Sequence, residues 1–539
     1  MKPAHYSLAE AIAVFVTGWL ALAAISGYLV DAAGFGVQPW LAAAIATVVA
    51  AAGMLTARVE RSVPELAAWA GVVGFGIAVA ARLAWPSLLP PGRGPDLTHH
   101  LLLVDYIERH GSLVHDRSLD GSMGEMAHYT PGSHLLAVMS GRWFGSDGLH
   151  AFFPLTALAA ALTAGFVFLI ARRHQLPVPY AVAAAILLLL PSQYFLGAFT
   201  HDAFLAQTVS TLFAVTMWWA MIVWDGESRA VEERSAGRVP TVVIAVMLVA
   251  TFLTWPIWMG PPLLVFLILA LGRLPRRDRW QPLAIVLVPF ALVAFYHAIG
   301  RWQWLVIVRA SGAVLSPSVD SLGWLLPALA LLGVAVHASD PRLRVSTMLI
   351  IGVALQTLAL YTVATIQGAD TPYMAFKMFY LVIYPLAVFA AIAIARAARQ
   401  SETAGWLAAA VLLIAVAQPA LSTPRPVPVV DTDLHAAGRW LRANLDAACA
   451  DYLVADPETA YWLHLAVLGN PRVPERMKEI DTYDPRAAIG RWITTEGRNY
   501  AIADLRLLPD EVRTRVEVKM QAGDAAVIAR PDATIKGCD

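Results

Sequence analysis

The sequence predicts a polytopic α-helical membrane protein of about thirteen transmembrane helices with a small C-terminal extracytoplasmic α/β domain. Of its 539 residues, 58% are hydrophobic and 14% are charged, whereas soluble domains carry roughly 25% charged residues. The mean hydropathy is +0.60. A spanning helix needs about 20 mainly apolar residues, and such runs lie near 9–29, 38–57, 65–86, 150–171, 178–196, 203–224, 241–258, 260–272, 281–299, 323–337, 346–366, 374–395 and 404–421.

Arginines in the short loops predict the orientation. Alternate short loops carry fifteen arginines, whereas the opposite short loops carry only Arg301 and Arg309. Because basic loops are retained in the cytoplasm, we expect a cytoplasmic N-terminus and, after an odd number of spans, an extracytoplasmic C-terminal region. The membrane domain is predicted over 1–422, with a large extracytoplasmic loop at 87–149, and the C-terminal domain over 423–539.

The polar C-terminal region combines helical and strand patterns, which is typical of a small α/β domain. After a proline-rich linker, the predicted elements are a helix at 432–446, a strand at 452–455, a helix near 458–468 and strands near 500–503 and 525–529. Cys449 and Cys538 lack a CxxC neighbourhood, so a zinc site is not indicated. They can form a disulfide if this region faces an oxidising compartment.

The net charge and the ratio of arginine to lysine indicate which partners and which source organism to expect. The formal net charge is zero, so no basic surplus indicates nucleic-acid binding. The basic residues are 34 arginines and five lysines, which is typical of a GC-rich genome. We therefore expect a bacterial plasma membrane, in an actinobacterial setting.

The large loop contains the richest polar segment, from Gly94 to His100. We expect a helix lying on the membrane, with Asp96 at its N-cap. His100 follows Asp96 by one turn, so both can face one site, and His99 lies beside His100 in the chain. The alternative is that Asp96 only caps the helix and the histidines lie at a wet interface.

Two further polar segments open apolar helices. Tyr129 and His134 lie at the end of the large loop, where Pro-Gly also fits a simple turn. His201 and Asp202 open the sixth span, where an aspartate also stabilises a helix N-terminus.

Two cations lie on the outer side, against the positive-inside trend. Lys377 is just inside the twelfth span, and Arg309 follows a tryptophan-rich outer loop. Snorkelling or lipid headgroups can account for them. A phosphate-bearing substrate accounts for them better, because lysine and arginine bind phosphate directly.

These residues together resemble the GT-C superfamily of membrane glycosyltransferases, which use polyprenyl-phosphate sugars. Asp96 with His100 resembles the family's acid in the first large outer loop, and 104–111 the helix after it. The segment 129–134 resembles the end of that loop, and Asp202 the second acid. The tail from His435 to Arg472 is similar to the outer domain of many bacterial members. The chain departs from many relatives in having two spans, not one, before the span that leads to Asp96.

The resemblance implies an inverting transfer of a sugar from a polyprenyl phosphate to a cell-envelope glycan or lipid acceptor, with Asp96 as the general base. It implies a substrate-binding role for His99, His100, Tyr129, His134, His201, Asp202, Arg309 and Lys377. Asp202 and His201 could also hold a divalent cation, and some relatives work without a metal. An arabinofuranosyl or mannosyl donor fits the actinobacterial setting.

Three other functions stay open at this point. A transporter or lipid-linked sugar flippase would show inverted repeats and charges at mid-membrane, and the sequence shows neither clearly. A non-catalytic envelope assembly subunit would tolerate loss of Asp96. An oligosaccharide ligase or polymerase would instead use a diphosphate lipid.

Overall fold

The computed structural model describes residues 6–55, 57–201, 203–229, 238–274, 278–300, 314–337, 340–494 and 497–530. Within them, seven helices are long and apolar enough to cross a membrane, or eight if one bent pair is counted as one span. Five shorter apolar helices account for the other predicted runs. The chain is therefore a multi-pass membrane protein, whereas thirteen complete spans stay a prediction.

The helices are numbered here in chain order. They are α1 Leu8–Val30, α2 Pro39–Leu55, α3 Val63–Ala84, α4 Gly94–His110, α5 Asp120–Met123, α6 Gly132–Trp143, α7 Gly148–Arg173, α8 Val178–Ile186, α9 Ser192–Phe195, α10 Gly197–Thr200, α11 Leu205–Arg229, α12 Arg238–Thr254, α13 Gly260–Arg273, α14 Trp280–Gly300, α15 Leu325–His337, α16 Arg344–Ile366, α17 Tyr373–Phe379, α18 Ile383–Gln400, α19 Glu402–Ser422, α20 Thr432–Asn444, α21 Pro457–Trp462, α22 Pro474–Asp481, α23 Pro485–Ile493 and α24 Asp510–Arg513.

Helices α7 and α11 are among the most buried membrane helices. About 83% and 89% of their most apolar windows are buried inside the protein, against 22% for α14 and α16. The peripheral helices therefore present most of their apolar surface outward, as lipid-facing helices do. Alanine and glycine are frequent on the buried side of α1, and small residues of this kind let neighbouring helix backbones approach closely.

The end of the helix bundle farthest from α4 holds a buried ionic cluster that the sequence did not indicate. Glu10 is 4% exposed and accepts hydrogen bonds from Arg173 at 2.5 Å and from the Trp219 indole at 2.9 Å. The Tyr6 hydroxyl donates to Glu227 at 3.3 Å. A buried carboxylate needs such partners, so this cluster joins α1, α7 and α11.

The large loop is anchored to the other end of α1. Buried Asp31, just after α1, accepts a hydrogen bond from the Leu113 backbone N–H at 3.0 Å and pairs with the His115 ring at 2.8 Å. The backbone N–H of Val37 donates to the Gly111 carbonyl at 2.6 Å. These contacts hold the C-terminal end of α4 against the membrane helices.

The C-terminal region forms a mixed four-stranded sheet. The strands are β3 Ala450–Leu453, β4 Tyr500–Asp504, β5 Glu517–Ala522 and β6 Ala525–Ala529. A separate two-stranded sheet near the N-terminus is formed by β1 Tyr6–Ser7 and β2 Val59–Glu60. The sheet order is β3-β4-β6-β5; β3 and β4 are parallel, and β6 is antiparallel to both neighbours. Strand β5 was not predicted, because its side chains are largely exposed and lack an alternating apolar pattern. Cys449 is disulfide-bonded, and Cys538 lies outside the described residues.

Candidate active site

Asp96 lies in the first turn of α4, not at its N-cap as the sequence suggested. The helix begins at Gly94 and has no side-chain cap. Pro95 permits the earlier start, because proline is well tolerated in a first helical turn. The Asp96 carboxylate instead accepts a hydrogen bond from the Tyr373 hydroxyl at 2.9 Å and lies 3.4 Å from the Lys377 ammonium. This finding removes the alternative in which Asp96 only caps the helix.

Lys377 lies in an aromatic pocket beside Asp96. The residue is 4% exposed, and its Nζ lies 3.7 Å from the Phe204 ring centroid, 4.2 Å from that of Tyr373 and 5.1 Å from that of Trp255. Aromatic ring faces attract a cation within about 6 Å. The pocket therefore keeps a positive charge next to a carboxylate.

The neighbours of Asp96 keep its carboxyl group ionised. Burial raises its pKa, but Lys377, His100 and the hydrogen bond from Tyr373 together lower that pKa below the ordinary value of 3.8. Both contacts are made by Oδ2, so within the described residues Oδ1 has no hydrogen-bond partner. Asp96 can therefore accept a proton at Oδ1 while Oδ2 stays bound.

Two buried histidines, His100 and His134, contact each other beside Asp96. His100 Nδ1 is 2.9 Å from His134 Nε2, and His134 Nδ1 is 3.4 Å from the Ser133 hydroxyl. Burial lowers the pKa of His100 to about 4 and that of His134 well below 6.5, so both rings are neutral at pH 7. The Tyr129 ring packs edge-on against both. Because His134 is fully buried, its connection to Asp96 passes through His100.

The third histidine, His99, points toward the C-terminal region. Its Nε2 lies 2.8 Å from the Tyr461 hydroxyl, and its Nδ1 pairs with the Glu125 carboxylate. Glu125 also pairs with Arg472 at 3.1 Å. The structure thus brings Asp96, His99, His100, Tyr129, His134 and Lys377 into one neighbourhood, and their roles stay predictions.

Of the other predicted site residues, the structure describes only His201. Arg309 and Asp202 lie outside the described residues, so their roles stay predictions. His201 is exposed and lines a cleft with Ser192, Thr200 and Val314. The turn that carries it approaches the site, because a Cβ on Gly92 would meet the Ala203 Cβ at 2.5 Å. Among the described residues, no group of three histidine, cysteine or acidic side chains could hold a metal ion, so the expected divalent cation stays untested.

Several residues of this neighbourhood were missed in the sequence. Tyr373 is four positions before Lys377, a spacing that places both on one helix face, so it could have been found. Glu125, Tyr461 and Arg472 are exposed or half-buried polar residues with no motif around them. Only the folded chain shows that they meet at His99.

Comparisons with known proteins identify the fold. No protein-family model matches the chain, and no curated protein matches its sequence. Among solved structures, the chain is similar to the oligosaccharyltransferase AglB from Archaeoglobus fulgidus, in complex with an inhibitory peptide and a dolichol-phosphate. The TM-score is 0.52 at 12% identity, over 81% of this chain and 69% of that one.

Two other solved structures are similar. Arabinofuranosyltransferase AftD from Mycobacteria gives a TM-score of 0.52 at 17% identity over 86% of this chain, which spans 41% of AftD. ArnT from Cupriavidus metallidurans, bound to undecaprenyl phosphate, gives 0.48 at 14% identity over 85% of this chain and 98% of ArnT. The AglB and AftD likenesses confirm the GT-C fold expected from the sequence.

Proposed function

We propose that this chain is an inverting glycosyltransferase that moves a sugar from a polyprenyl phosphate to an envelope glycan or lipid acceptor at the outer face of a bacterial plasma membrane. The observation that carries the proposal is the Asp96–Lys377 pair. It combines an ionised carboxylate and a buried ammonium, 3.4 Å apart. A base and a phosphate-binding cation are the two groups that such a transfer needs most.

The reaction follows from these two groups. An acceptor hydroxyl attacks the anomeric carbon of the donor sugar and forms the new C–O bond, while the bond from that carbon to the phosphate oxygen breaks. The acceptor proton passes to Asp96 Oδ1, which acts as a general base. Polyprenyl phosphate leaves as an anion and needs no proton. Lys377, with Arg309 as a second cation, stabilises the charge on that phosphate, and attack opposite the phosphate inverts the anomeric configuration.

The lipid chain of the donor fits an apolar groove between membrane helices. The groove lies among α3, α7 and α8, and its lining includes Gly71, Phe75, Ala161, Leu189 and Phe199. Phe199 is also next to Gly92, so the groove extends toward the loop that precedes Asp96. An isoprenoid chain is apolar and would be stabilised by burial in such a groove. The dolichol-phosphate in the AglB complex is a lipid of the same class.

The proposal is tested by transfer with purified protein. The protein is reconstituted in liposomes and supplied with a panel of radiolabelled polyprenyl-phosphate sugars, arabinofuranosyl and mannosyl donors included, and an envelope glycan extract. We expect label to enter the acceptor from one donor, with inverted configuration. Binding of every donor without transfer would favour a non-catalytic assembly subunit. Movement of a labelled lipid across the bilayer without transfer would favour a flippase, and transfer only from diphosphate donors would favour a ligase or polymerase.

A further inference from the structure

The C-terminal region contacts α4 through several charged pairs. Arg442 of α20 binds Asp105 with both terminal nitrogens, at 3.0 and 3.2 Å. Arg93, just before α4, pairs with Glu458 of α21 at 2.7 Å. In the chain, Arg93 precedes Asp96 and Asp105 follows it, so the two pairs lie on either side of Asp96. They set the position of the C-terminal region against α4, so residues of that region can act on the site.

Both ring nitrogens of His99 are bonded where α4 meets the C-terminal region. The Glu125 carboxylate can only accept a hydrogen bond, so the proton of a neutral His99 ring is on Nδ1. Nε2 then accepts the hydrogen bond from Tyr461, whose phenol stays protonated because burial raises its pKa. The chain of contacts Glu125–His99–Tyr461 therefore fixes both the tautomer and the plane of the ring.

Glu125 is itself held in place from the C-terminal region. Its partner Arg472 approaches closely because Gly124 has no side chain: a Cβ there would meet the Arg472 guanidinium nitrogen at 2.5 Å. Gly124 also has φ +55°, a left-handed conformation that favours glycine. The pKa of Glu125 falls to about 2, since its pairs with His99 and Arg472 outweigh its burial. Glu125 is thus a carboxylate throughout the neutral range.

His99 is also on the Asp96 side of α4. His99 follows Asp96 by three positions, an i, i+3 spacing that places both side chains on one helix face. The two side chains are also close enough to interact electrostatically. The charged or titratable groups around the His99 ring are Asp96, His100, Glu125, Tyr461 and, through Glu125, Arg472.

We propose that Tyr461 and Glu125 are positioning residues that fix the His99 ring beside Asp96, so that the C-terminal region forms part of the active site. The inference rests on the proposed transferase function and deepens it. Because both of its ring nitrogens are already bonded, His99 offers the acceptor only its ring face beside the base, and Tyr461 acts only through His99. The C-terminal region therefore contributes to the rate of transfer and not to donor binding, which belongs to Lys377 and the membrane groove.

A kinetic double-mutant cycle tests this. Tyr461→Phe keeps the ring and removes the hydroxyl, and we expect kcat to fall about fivefold to tenfold with the donor KM within about twofold. His99→Gln lowers kcat by up to about 100-fold. Adding Tyr461→Phe to His99→Gln then changes kcat by less than about twofold, because the two residues act as one unit. Glu125→Gln behaves like Tyr461→Phe.

Tyr452→Phe is the matched control. The Tyr452 hydroxyl makes a contact of the same kind in the same region, 2.8 Å from His464, and it bonds to no residue of α4. We expect its kcat to equal that of the unchanged protein. Equal kcat in Tyr461→Phe and Tyr452→Phe, or an undiminished effect of Tyr461→Phe in the His99→Gln background, would overturn the inference.

Hydrogen exchange separates failure of this inference from failure of the proposed function. We expect the amides of α4 to exchange faster in Tyr461→Phe than in Tyr452→Phe, whether or not sugar is transferred. If the unchanged protein transfers no sugar from any donor, the transferase proposal fails. In that case, equal α4 exchange in the two variants would overturn the positioning role as well. Faster α4 exchange in Tyr461→Phe would show that the Tyr461 hydroxyl still holds His99 in place.

Discussion

Replacing Lys377 with methionine separates the two roles assigned to the Asp96–Lys377 pair. Methionine has a similar length and no charge, and it fits the aromatic pocket formed by Phe204, Trp255 and Tyr373. The hydrogen bond from Tyr373 to Asp96, 2.9 Å long, is kept. The variant therefore removes the ammonium while leaving most of the packing in place.

The loss at the donor phosphate can be worked from this geometry. A hydrogen bond to a charged group contributes about 1.5–3 kcal/mol, and each 1.4 kcal/mol is about tenfold in affinity. We therefore expect the donor KM to rise by about 10- to 150-fold. The acid limb of the pH profile moves as well. Lys377 lowers the pKa of Asp96 while burial raises it, so that pKa rises in the variant, and kcat/KM declines at a higher pH.

The assay is the initial rate of transfer over a range of donor concentrations between pH 4.5 and 8. Lys478→Met is the control, since Lys478 is exposed in the C-terminal region and its loss should leave both the donor KM and the pH profile unchanged. An unchanged donor KM in Lys377→Met would refute the phosphate-binding role. A raised KM with an unmoved acid limb would show that Asp96 does not act as the base.

Three further outcomes follow from the structure. Gly71→Leu adds apolar bulk to the groove lining, where no atom lies within 4 Å of an added Cβ, and should weaken binding of a fluorescent polyprenyl phosphate at least tenfold. Gly74→Leu, where an added Cβ on α3 is equally free but outside the groove, should not. Lowering the pH from 6.5 toward 4 should lower the unfolding midpoint, because the pKa of His100 falls from 6.5 unfolded to about 4 folded and the unfolded chain takes up the proton first; the decline should be smaller in His100→Gln. Arg442→Met breaks the pair with Asp105 and should cost about 2 kcal/mol, measured as a lower unfolding midpoint in detergent, and an unchanged midpoint would contradict that contact.

The membrane helices could be predicted from the sequence because a spanning helix is identified by the length of its apolar run alone. Length alone does not separate complete spans from shorter helices that complete the bundle, such as α2 or α15. The bend between α8 and α9, where two short helices meet at 69°, is also hidden in one continuous apolar run. The number of complete spans therefore depends on how the short helices pack, which apolar length does not encode.

Six of the predicted site residues meet because they lie near the ends of elements that converge at one edge of the bundle. Asp96 and His100 lie on α4, and His134 opens α6 beside it. Their partners across the fold could not be predicted, since Tyr461 is 362 residues from His99 in the sequence. Contacts of that range depend on how the C-terminal region packs on α4, which no local pattern encodes.

The N-cap assignment of Asp96 was wrong for a local reason. Aspartate followed by an apolar run is typical of a helix start, but the helix begins at Gly94 with Arg93 as its N-cap, three residues earlier than predicted. The Asp96 carboxylate then makes no capping hydrogen bond and instead accepts one from the Tyr373 hydroxyl. Only the tertiary partner distinguishes a capping aspartate from one that belongs to a site.

The most direct test of the central claim is sugar transfer by Asp96→Asn. Asparagine keeps the side-chain shape and an acceptor for the Tyr373 hydroxyl, but it cannot take up a proton. If Asp96 is the general base, kcat falls by about 10²- to 10⁴-fold in a variant whose unfolding midpoint and binding of polyprenyl phosphate stay close to those of the unchanged protein. Transfer at the unchanged rate by the folded Asn variant would contradict the account and direct the search for the base to Asp202.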